Sequence, residues 1–402
     1  MSGLHLDIDL DKIGQNARHL VDRAAGMGVS ITAVTKALLG EPQLARTLGN
    51  AGVVALGDSR IENIERMRHA HITTPMVLIR SPMPSQVDRV VRSNTTSVNS
   101  DLDVLTTLGV AARVCGRIHD VIIMVELGDL REGVMANDLH ATVRHVLRQP
   151  SLRLHGIGTN LACRSGIEPA DANMGELSHL VETVEATFGI HLECVSGGNS
   201  ANLDWMTNTT ALGRVNNLRL GESILLGRDP LDRQPIVGLH TDAITLVGEV
   251  VESHRKPARP WGRASQNAFG ETLDTTHPEQ VSTYGGEIWQ TIVAAGRQDT
   301  DPDDLQCPTG VALLDASSDH LILETSARID PGTAIRFEPG YSALLRSMTS
   351  PYVAKRFRDD YDAQRTIAVT TRHRPGTQTS PRSAPAPRLK LVPRSPAAGP
   401  RR

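Results

Sequence analysis

The sequence predicts an α/β protein, a TIM-like (β/α)8 barrel followed by a mostly β second domain and a disordered C-terminal tail. Three observations carry this expectation. Short apolar runs alternate with amphipathic stretches from Leu4 to about Gly227, the pattern of strands and helices wound into a parallel sheet covered on both faces. After Leu239 the apolar runs are separated by Gly, Pro and Asp turns rather than by helices, as successive antiparallel strands are. From about Thr370 seven prolines mingle with Ser, Ala and Arg, a composition that cannot bury enough surface to fold. A length of 402 residues exceeds what one core organises, so two domains and a tail are expected. The boundaries fall at residues 1–235 for the barrel, 236–365 for the β-rich domain and 366–402 for the tail.

Taken in order, the runs of the first domain are Leu6 to Leu10, Ile31 to Lys36, Val53 to Gly57, Met76 to Arg80, Val121 to Leu127, Leu152 to Leu161 and Leu192 to Val195. Helical patterns such as Ile61 to Met67 and His140 to Leu147 lie between them. The count suits a barrel of about eight units, with an open doubly wound sheet as the alternative. In the second domain Ile244 to Glu252, Trp289 to Ala294, Gly310 to Leu314, Leu321 to Thr325 and Ala334 to Phe337 read as strands.

Composition narrows the class. Aromatic content is only 3%, and no run of about 18 apolar residues occurs, so no membrane span is expected. The first residues show neither a basic leader nor an apolar signal core. Cys115, Cys163, Cys194 and Cys307 are scattered, without the paired spacing of a zinc site and too few for a disulfide framework. A cytoplasmic protein with reduced thiols is expected. Residues 371–402 hold eight Arg or Lys and no Asp or Glu, so a net charge of −3 leaves about −11 for the rest. No nucleic-acid partner is expected of so acidic a body.

Functional groups of a barrel gather at the C-terminal ends of its strands. Polar residues end several runs here: Lys36, Asp58-Ser59-Arg60, Arg131, Asn160 and the loop Ser196-Gly197-Gly198-Asn199-Ser200. Lys36 is either a snorkelling strand terminus or a Schiff-base amine. The small-residue loop is either a plain turn or a phosphate cradle of N–H groups and hydroxyls. Together a lysine and a phosphate loop suggest pyridoxal 5'-phosphate, whose aldehyde a lysine captures and whose phosphate needs an anchor.

Longer segments make the comparison specific. They are Ala33-Val34-Thr35-Lys36, Gly128-Asp129-Leu130-Arg131-Glu132-Gly133, Gly156 to Cys163, Ser196 to Ala201 and Asn217-Leu218-Arg219-Leu220-Gly221-Glu222. The second domain adds Gly296-Arg297-Gln298-Asp299, Ser317 to Leu321 and Met348 to Val353. In these segments the chain resembles the alanine racemase superfamily, the barrel type of pyridoxal-phosphate enzyme, and most closely its ornithine racemase branch. Only the tail beyond about residue 365 lies outside the resemblance. It implies an amino-acid racemase that interconverts L and D enantiomers by α-proton abstraction and reprotonation. Ornithine is the leading substrate, with lysine, serine or alanine behind it, and the assembly is a homodimer with shared active sites.

The same resemblance assigns residues. Lys36 captures the cofactor and serves as the base on one face of the substrate. Ser200, with backbone groups of Gly221 and Glu222, binds phosphate. Arg131 lies near the phenolic oxygen and the substrate carboxylate, Asn160 lies beside the ring, and Arg219 faces the pyridine nitrogen. A guanidinium is donor-only and permanently charged, so that nitrogen stays unprotonated.

Racemisation also needs an acid/base on the opposite face. Alanine racemases use a tyrosine from the partner subunit's β domain in a Gly-Tyr-Ala-Asp segment, where this chain reads Gly296-Arg297-Gln298-Asp299. Arginine hardly ever deprotonates and is a poor shuttle. His320 is the best replacement, because an imidazole titrates near neutrality; a structural histidine bonded to Asp319 is the alternative. Tyr284 and Tyr352 are further candidates, and Asp299, Asp319 or Glu222 could pair with a cationic substrate side chain. Three rival readings remain. A non-catalytic pyridoxal-phosphate-binding homeostasis protein generally lacks a full second domain, and residues 240 to 360 weigh against it. A barrel-type decarboxylase of basic amino acids would bring a glycine-rich phosphate segment and a Cys-Asp pair that are absent. A metal-assisted aldolase or dehydratase would want clustered His and Cys ligands.

Overall fold

The computed structural model describes residues 3–260, 265–270 and 286–358. A short strand, β1 (His5–Asp9), leads into the helix Leu10–Ala25, whose first turn Asp9 caps by accepting from the Lys12 N–H at 3.0 Å. Eight parallel strands follow: β2 (Ser30–Val34), β3 (Ala55–Asp58), β4 (Met76–Leu78), β5 (Thr96–Asn99), β6 (His119–Met124), β7 (Leu152–Gly158), β8 (Cys194–Ser196) and β9 (Asn217–Leu220). They pair in chain order, and β9 returns to β2 with Ile31 opposite Leu218, which closes the barrel. Apolar side chains such as Ile31, Leu56, Ile123, Ile157 and Leu218 are buried between the strands and the surrounding helices, as expected when both faces of a parallel sheet are covered.

The second sheet is built from β10 (Ile244–Pro257), β11 (Glu287–Val293), β12 (Leu305–Gln306), β13 (Val311–Ala316), β14 (Leu321–Thr325), β15 (Ala334–Pro339) and β16 (Ala354–Arg358). Its main path runs β12-β15-β10-β11-β14-β13 in antiparallel pairs. The barrel and the mostly β second sheet are the fold class that the residue pattern predicts.

Two details differ from the sequence reading. The run Leu6 to Leu10, counted among the barrel units, is not a barrel strand. β1 instead lies antiparallel to β10, with Leu6 opposite Leu246, and parallel to β16, with Leu6 opposite Lys355. Its place in the barrel is taken by β5 and β9, which no apolar run announced. β5 reads Thr96-Ser97-Val98-Asn99 and hides polar side chains, most of whose atoms find partners: Ser97 Oγ lies 2.8 Å from His119 Nε2, and Asn99 Nδ2 donates to Ser97 Oγ at 3.0 Å, while Asn99 Oδ1 is left without one.

A helix, Tyr341–Thr349, connects β15 to β16 and returns to the barrel, where it packs on the turn Lys36–Leu38. Its buried residues Ala343, Leu344, Ser347 and Met348 recur at helical spacing. Asp304 holds its first turn, one carboxylate oxygen accepting from the N–H of Ser342 at 2.7 Å and of Ala343 at 3.1 Å. That docking sets Tyr341 at the mouth of the barrel. The tail assigned to 366–402 and Tyr284 lie outside the described residues. No described helix is long and apolar enough to cross a membrane, and all four cysteines are unpaired.

Candidate active site

Lys36 begins where β2 stops. Thr35, fully buried, donates its N–H to the Gly57 carbonyl at 2.8 Å and its hydroxyl to Asp58 Oδ2 at 2.7 Å. Asp58 is itself fully buried and also accepts from the Arg60 N–H and Asn63 Nδ2, each at 2.9 Å. Burial pushes its carboxyl above the usual range, against the pull of these hydrogen bonds. The chain then makes one 3-10 turn, Lys36–Leu38, and leaves it through Leu39 in the left-handed region at φ 55°. This anchored turn puts the Lys36 amine on the rim of the barrel, 6.0 Å from the centroid of the Tyr341 ring. Among the described residues the amine has no hydrogen-bond or ion-pair partner.

The rim surrounds a cavity of about 340 Å³ at the C-terminal end of the strands. Lys36, Arg131, Asn160, Ser200, Arg219, Gly221 and Glu222 all line it, so the structure gathers every residue named for the cofactor. Arg80, Glu132, Arg233 and Tyr341 line it too and were not singled out from the sequence. A second cleft of about 410 Å³ beside β1 is also rich in charge. There the charges answer each other: Asp7 with Arg336 at 2.7 Å, and Lys12 with Asp242 at 2.6 Å.

At one end of the cavity three donors converge on Ser200 Oγ: the N–H groups of Gly221 and Ser223 at 3.3 and 3.2 Å, and the Ser223 hydroxyl at 3.0 Å. Donors focused on one oxygen are what a phosphate oxygen needs. Gly221 lets this turn approach β2, because a Cβ there would lie 3.1 Å from Val34 Cβ. Gly198, at φ 149°, has no room for one, since Asn202 Oδ1 would be 2.0 Å away. The Glu222 carboxylate turns to Arg233, and burial raises its pKa while Arg233 lowers it.

Arg219 projects from β9 into the floor. Its guanidinium donates to Ser196 Oγ, to the Thr159 carbonyl at 2.6 Å and to Asn160 Oδ1 at 3.2 Å. Burial lowers its pKa to about 10, which leaves it charged at neutral pH. No carboxylate pairs with it among the described residues, so the charge of this buried cation is met by neutral acceptors alone. The Asn160 oxygen is taken by Arg219 and by Asn199 Nδ2 at 3.2 Å, which leaves its amide nitrogen as the donor available to the cavity.

Arg131 sits on the loop after β6. Glu126 shapes this loop by accepting from the N–H groups of Gly128, Leu130 and Arg131 at 2.6, 2.9 and 3.1 Å. Buried Asp129 ties it to the loop after β7 through the N–H groups of Cys163, Arg164 and Ser165. The Arg131 guanidinium itself reaches Glu132 at 3.2 Å and Asp129 at 3.8 Å.

His320 does not line this cavity. It occupies the turn between β13 and β14, half exposed, with Nδ1 3.4 Å from Asp319 Oδ1. Arg297, in the segment where alanine racemases carry their tyrosine, is held by the Ala316 carbonyl at 3.3 Å, by Asp303 at 3.2 Å and by the Phe269 ring at 5.0 Å. Tyr352 is exposed. Tyr341 is one of the cavity residues the sequence reading missed. Its phenol is pushed up by burial and then by Glu222, and it reaches Lys36 from 305 positions further along the chain. The one sequence signal was an amphipathic helix that begins at Tyr341 directly after a strand.

A free amine, a buried guanidinium without a carboxylate partner and an anion cradle at the mouth of a closed barrel define a barrel enzyme for a small anionic ligand. The comparisons with known proteins say which kind. Residues 8–229 match the family described as alanine racemase, N-terminal domain, and the chain belongs to that family. It is 36% identical over 351 residues to a lysine racemase of Thermotoga maritima, spanning 87% of this chain and 96% of that one. It is 33% identical over 355 residues to an ornithine racemase of Acetoanaerobium sticklandii, spanning 87% and 98%. The fold matches an alanine racemase from D-cycloserine-producing Streptomyces lavendulae with a TM-score of 0.68 at 18% identity, covering 89% of this chain and 98% of that one. This protein is an amino-acid racemase.

Proposed function

We propose that the racemase works with pyridoxal 5'-phosphate held on Lys36, that its substrate is a diamino acid such as ornithine or lysine, and that two copies share their active sites. The observation that carries the cofactor reading is Arg219, a buried cation without a carboxylate partner in the cavity that also holds the Lys36 amine and the Ser200 cradle. Charge supports it. Five cationic side chains, Lys36, Arg80, Arg131, Arg219 and Arg233, line the cavity against two carboxylates, Glu132 and Glu222, and a phosphate dianion with a substrate carboxylate would bring about three negative charges. The diamino-acid reading is supported by the names of the two relatives that match nearly the full length of the chain.

When bound, the cofactor supplies an electron sink that acidifies the α-hydrogen of an amino acid joined to it. The chain's own residues do the rest. Ser200 and the Gly221 N–H would hold the phosphate, and the amide nitrogen of Asn160 and the guanidinium of Arg131 would orient the ring and its substituents. Arg219 would face the ring nitrogen, and its fixed positive charge would leave that nitrogen unprotonated, which would limit the sink and disfavour side reactions. Tyr341 walls the cavity and narrows the access of water to Lys36. Lys36 Nζ takes the α-proton from one face or returns it there.

The opposite face is served by a second copy. His320 stands outside its own cavity, on the β-rich part of the chain, and a two-fold dimer would present His320 of the partner subunit to Lys36. Four unpaired cysteines suit a reducing compartment, and we place the enzyme in the cytoplasm.

The test is incubation of single enantiomers of ornithine, lysine, serine and alanine with the enzyme in deuterated water. α-Deuterated product of both hands is expected, fastest with a diamino acid; release of carbon dioxide without inversion would overturn the reading. The protein should also show visible absorbance that borohydride bleaches and that Lys36→Ala lacks.

A further inference from the structure

We propose that Arg80 binds the α-carboxylate of the substrate. The proposal rests on the pyridoxal-phosphate racemase reading of the cavity. Arg80 lies two residues beyond the end of β4, on the edge of the barrel where functional groups gather. The cavity has four arginines, and three already have partners within the chain. Arg219 donates to Ser196, Thr159 and Asn160; Arg233 holds Glu222; Arg131 is shared between Glu132 and Asp129. Arg80 alone has no hydrogen bond and no ion pair among the described residues, although it is partly buried.

A guanidinium that gives up part of its water in a concave site calls for an anion. Its planar fork of N–H donors matches a carboxylate with two parallel hydrogen bonds. The cofactor's phosphate already has its cradle at Ser200, beyond the ends of β8 and β9, so the anion left for Arg80 is the substrate's. Place in the wall supports this. The N–H of the next residue, Ser81, points to Glu132 Oε2 at 3.4 Å, and Glu132 is the group that occupies Arg131. Arg80 therefore stands beside the Arg131–Glu132 pair, and its donors need no carboxylate to be displaced before they can be used.

The experiment compares Arg80→Met and Arg80→Lys with the wild-type holoenzyme. KM for both enantiomers is measured, together with the affinity for two ligands read from the cofactor absorbance: a non-reactive carboxylate analogue of the substrate, and the diamine of the same chain length that lacks a carboxylate. Loss of a charge-assisted pair predicts that Arg80→Met raises KM and weakens the carboxylate analogue by about tenfold to a hundredfold. Diamine affinity should stay within about threefold, and kcat should change less than KM. If Arg80→Met does not hold cofactor, Arg80→Lys, which keeps the charge and loses the fork, is read by the same ratio of carboxylate to diamine affinity. Carboxylate binding at the wild-type level, or equal weakening of both ligands, overturns the proposal. A wild-type protein without borohydride-sensitive absorbance and without α-deuteration would overturn the underlying reading instead, and that is seen before any variant is made.

Discussion

Asp58 offers a direct test of how the fold holds Lys36. Asp58→Ala removes the acceptor of three hydrogen bonds, from Thr35 Oγ1, the Arg60 N–H and Asn63 Nδ2. Thr35 has a second acceptor in reach, the Gly57 carbonyl at 3.3 Å, so its hydroxyl is not orphaned. The loss falls on the Arg60 N–H and the Asn63 amide. An unsatisfied donor costs about 1–3 kcal/mol when buried, and both of these contacts are part-buried, so about 2–4 kcal/mol is expected for alanine. Asp58→Asn keeps the shape and one acceptor and should cost about 1 kcal/mol. Because burial raises the folded-state pKa of Asp58, wild type carries a stability term that is complete below its ordinary value and fades as pH rises through the raised one. Asparagine lacks that term, so the gap between wild type and Asp58→Asn should be widest in acid and narrow toward neutrality. Urea unfolding of both variants at several pH values measures this. A loss below about 1 kcal/mol for alanine, or a gap that widens with pH, would refute the account. Cofactor affinity should fall with stability, since the Lys36 turn hangs on Thr35.

Two further outcomes follow from the site and the barrel. His119 is buried, and burial lowers its pKa to about 4, so the stability it contributes is present above the ordinary imidazole range and lost as pH falls from about 6.5 toward that value, by up to about 3 kcal/mol. Urea midpoints of His119→Gln should drop less than those of wild type between neutral pH and pH values near 5, and equal drops would contradict this. Lys36→Ala and His320→Asn should each be inactive alone, and mixing equal amounts under subunit exchange should restore about a quarter of the wild-type sites, because each mixed dimer has one complete site. No recovery despite exchange shown by mass would place the second acid/base elsewhere.

The sequence carried most of the barrel and most of the cavity. Runs such as Ile31 to Lys36 and Met76 to Arg80 ended where strands ended, and the polar residues that closed them met at one rim. What stayed hidden had a common cause: it depended on contacts between distant parts of the chain. β5 hides behind Ser97 and Asn99, whose burial is tolerable only because His119 lies alongside. Strand character in Leu6 to Leu10 is local, whereas the choice of sheet depends on Leu246 and Lys355. Tyr341 becomes a cavity residue only because Asp304 pins the first turn of its helix. Arg80 was visible as the last residue of a run, but its lack of a partner could be seen only once Glu132, Asp129 and Glu222 were seen to be engaged elsewhere.

The position of β1 has a consequence for biosynthesis. Its residues leave the ribosome well before their partners, about 240 residues ahead of β10 and about 350 ahead of β16, delays of about 10–50 s and 20–70 s at ordinary elongation rates. The barrel strands can pair before β10 is made, and β1 cannot. Until β10 arrives it remains an apolar strand with two open edges, and until β16 arrives with one, the kind of segment that recruits strangers. Shortening the chain before Ala354 would leave the second edge open permanently, so aggregation of truncated chains should begin at residues 5–9, far in sequence from the cut.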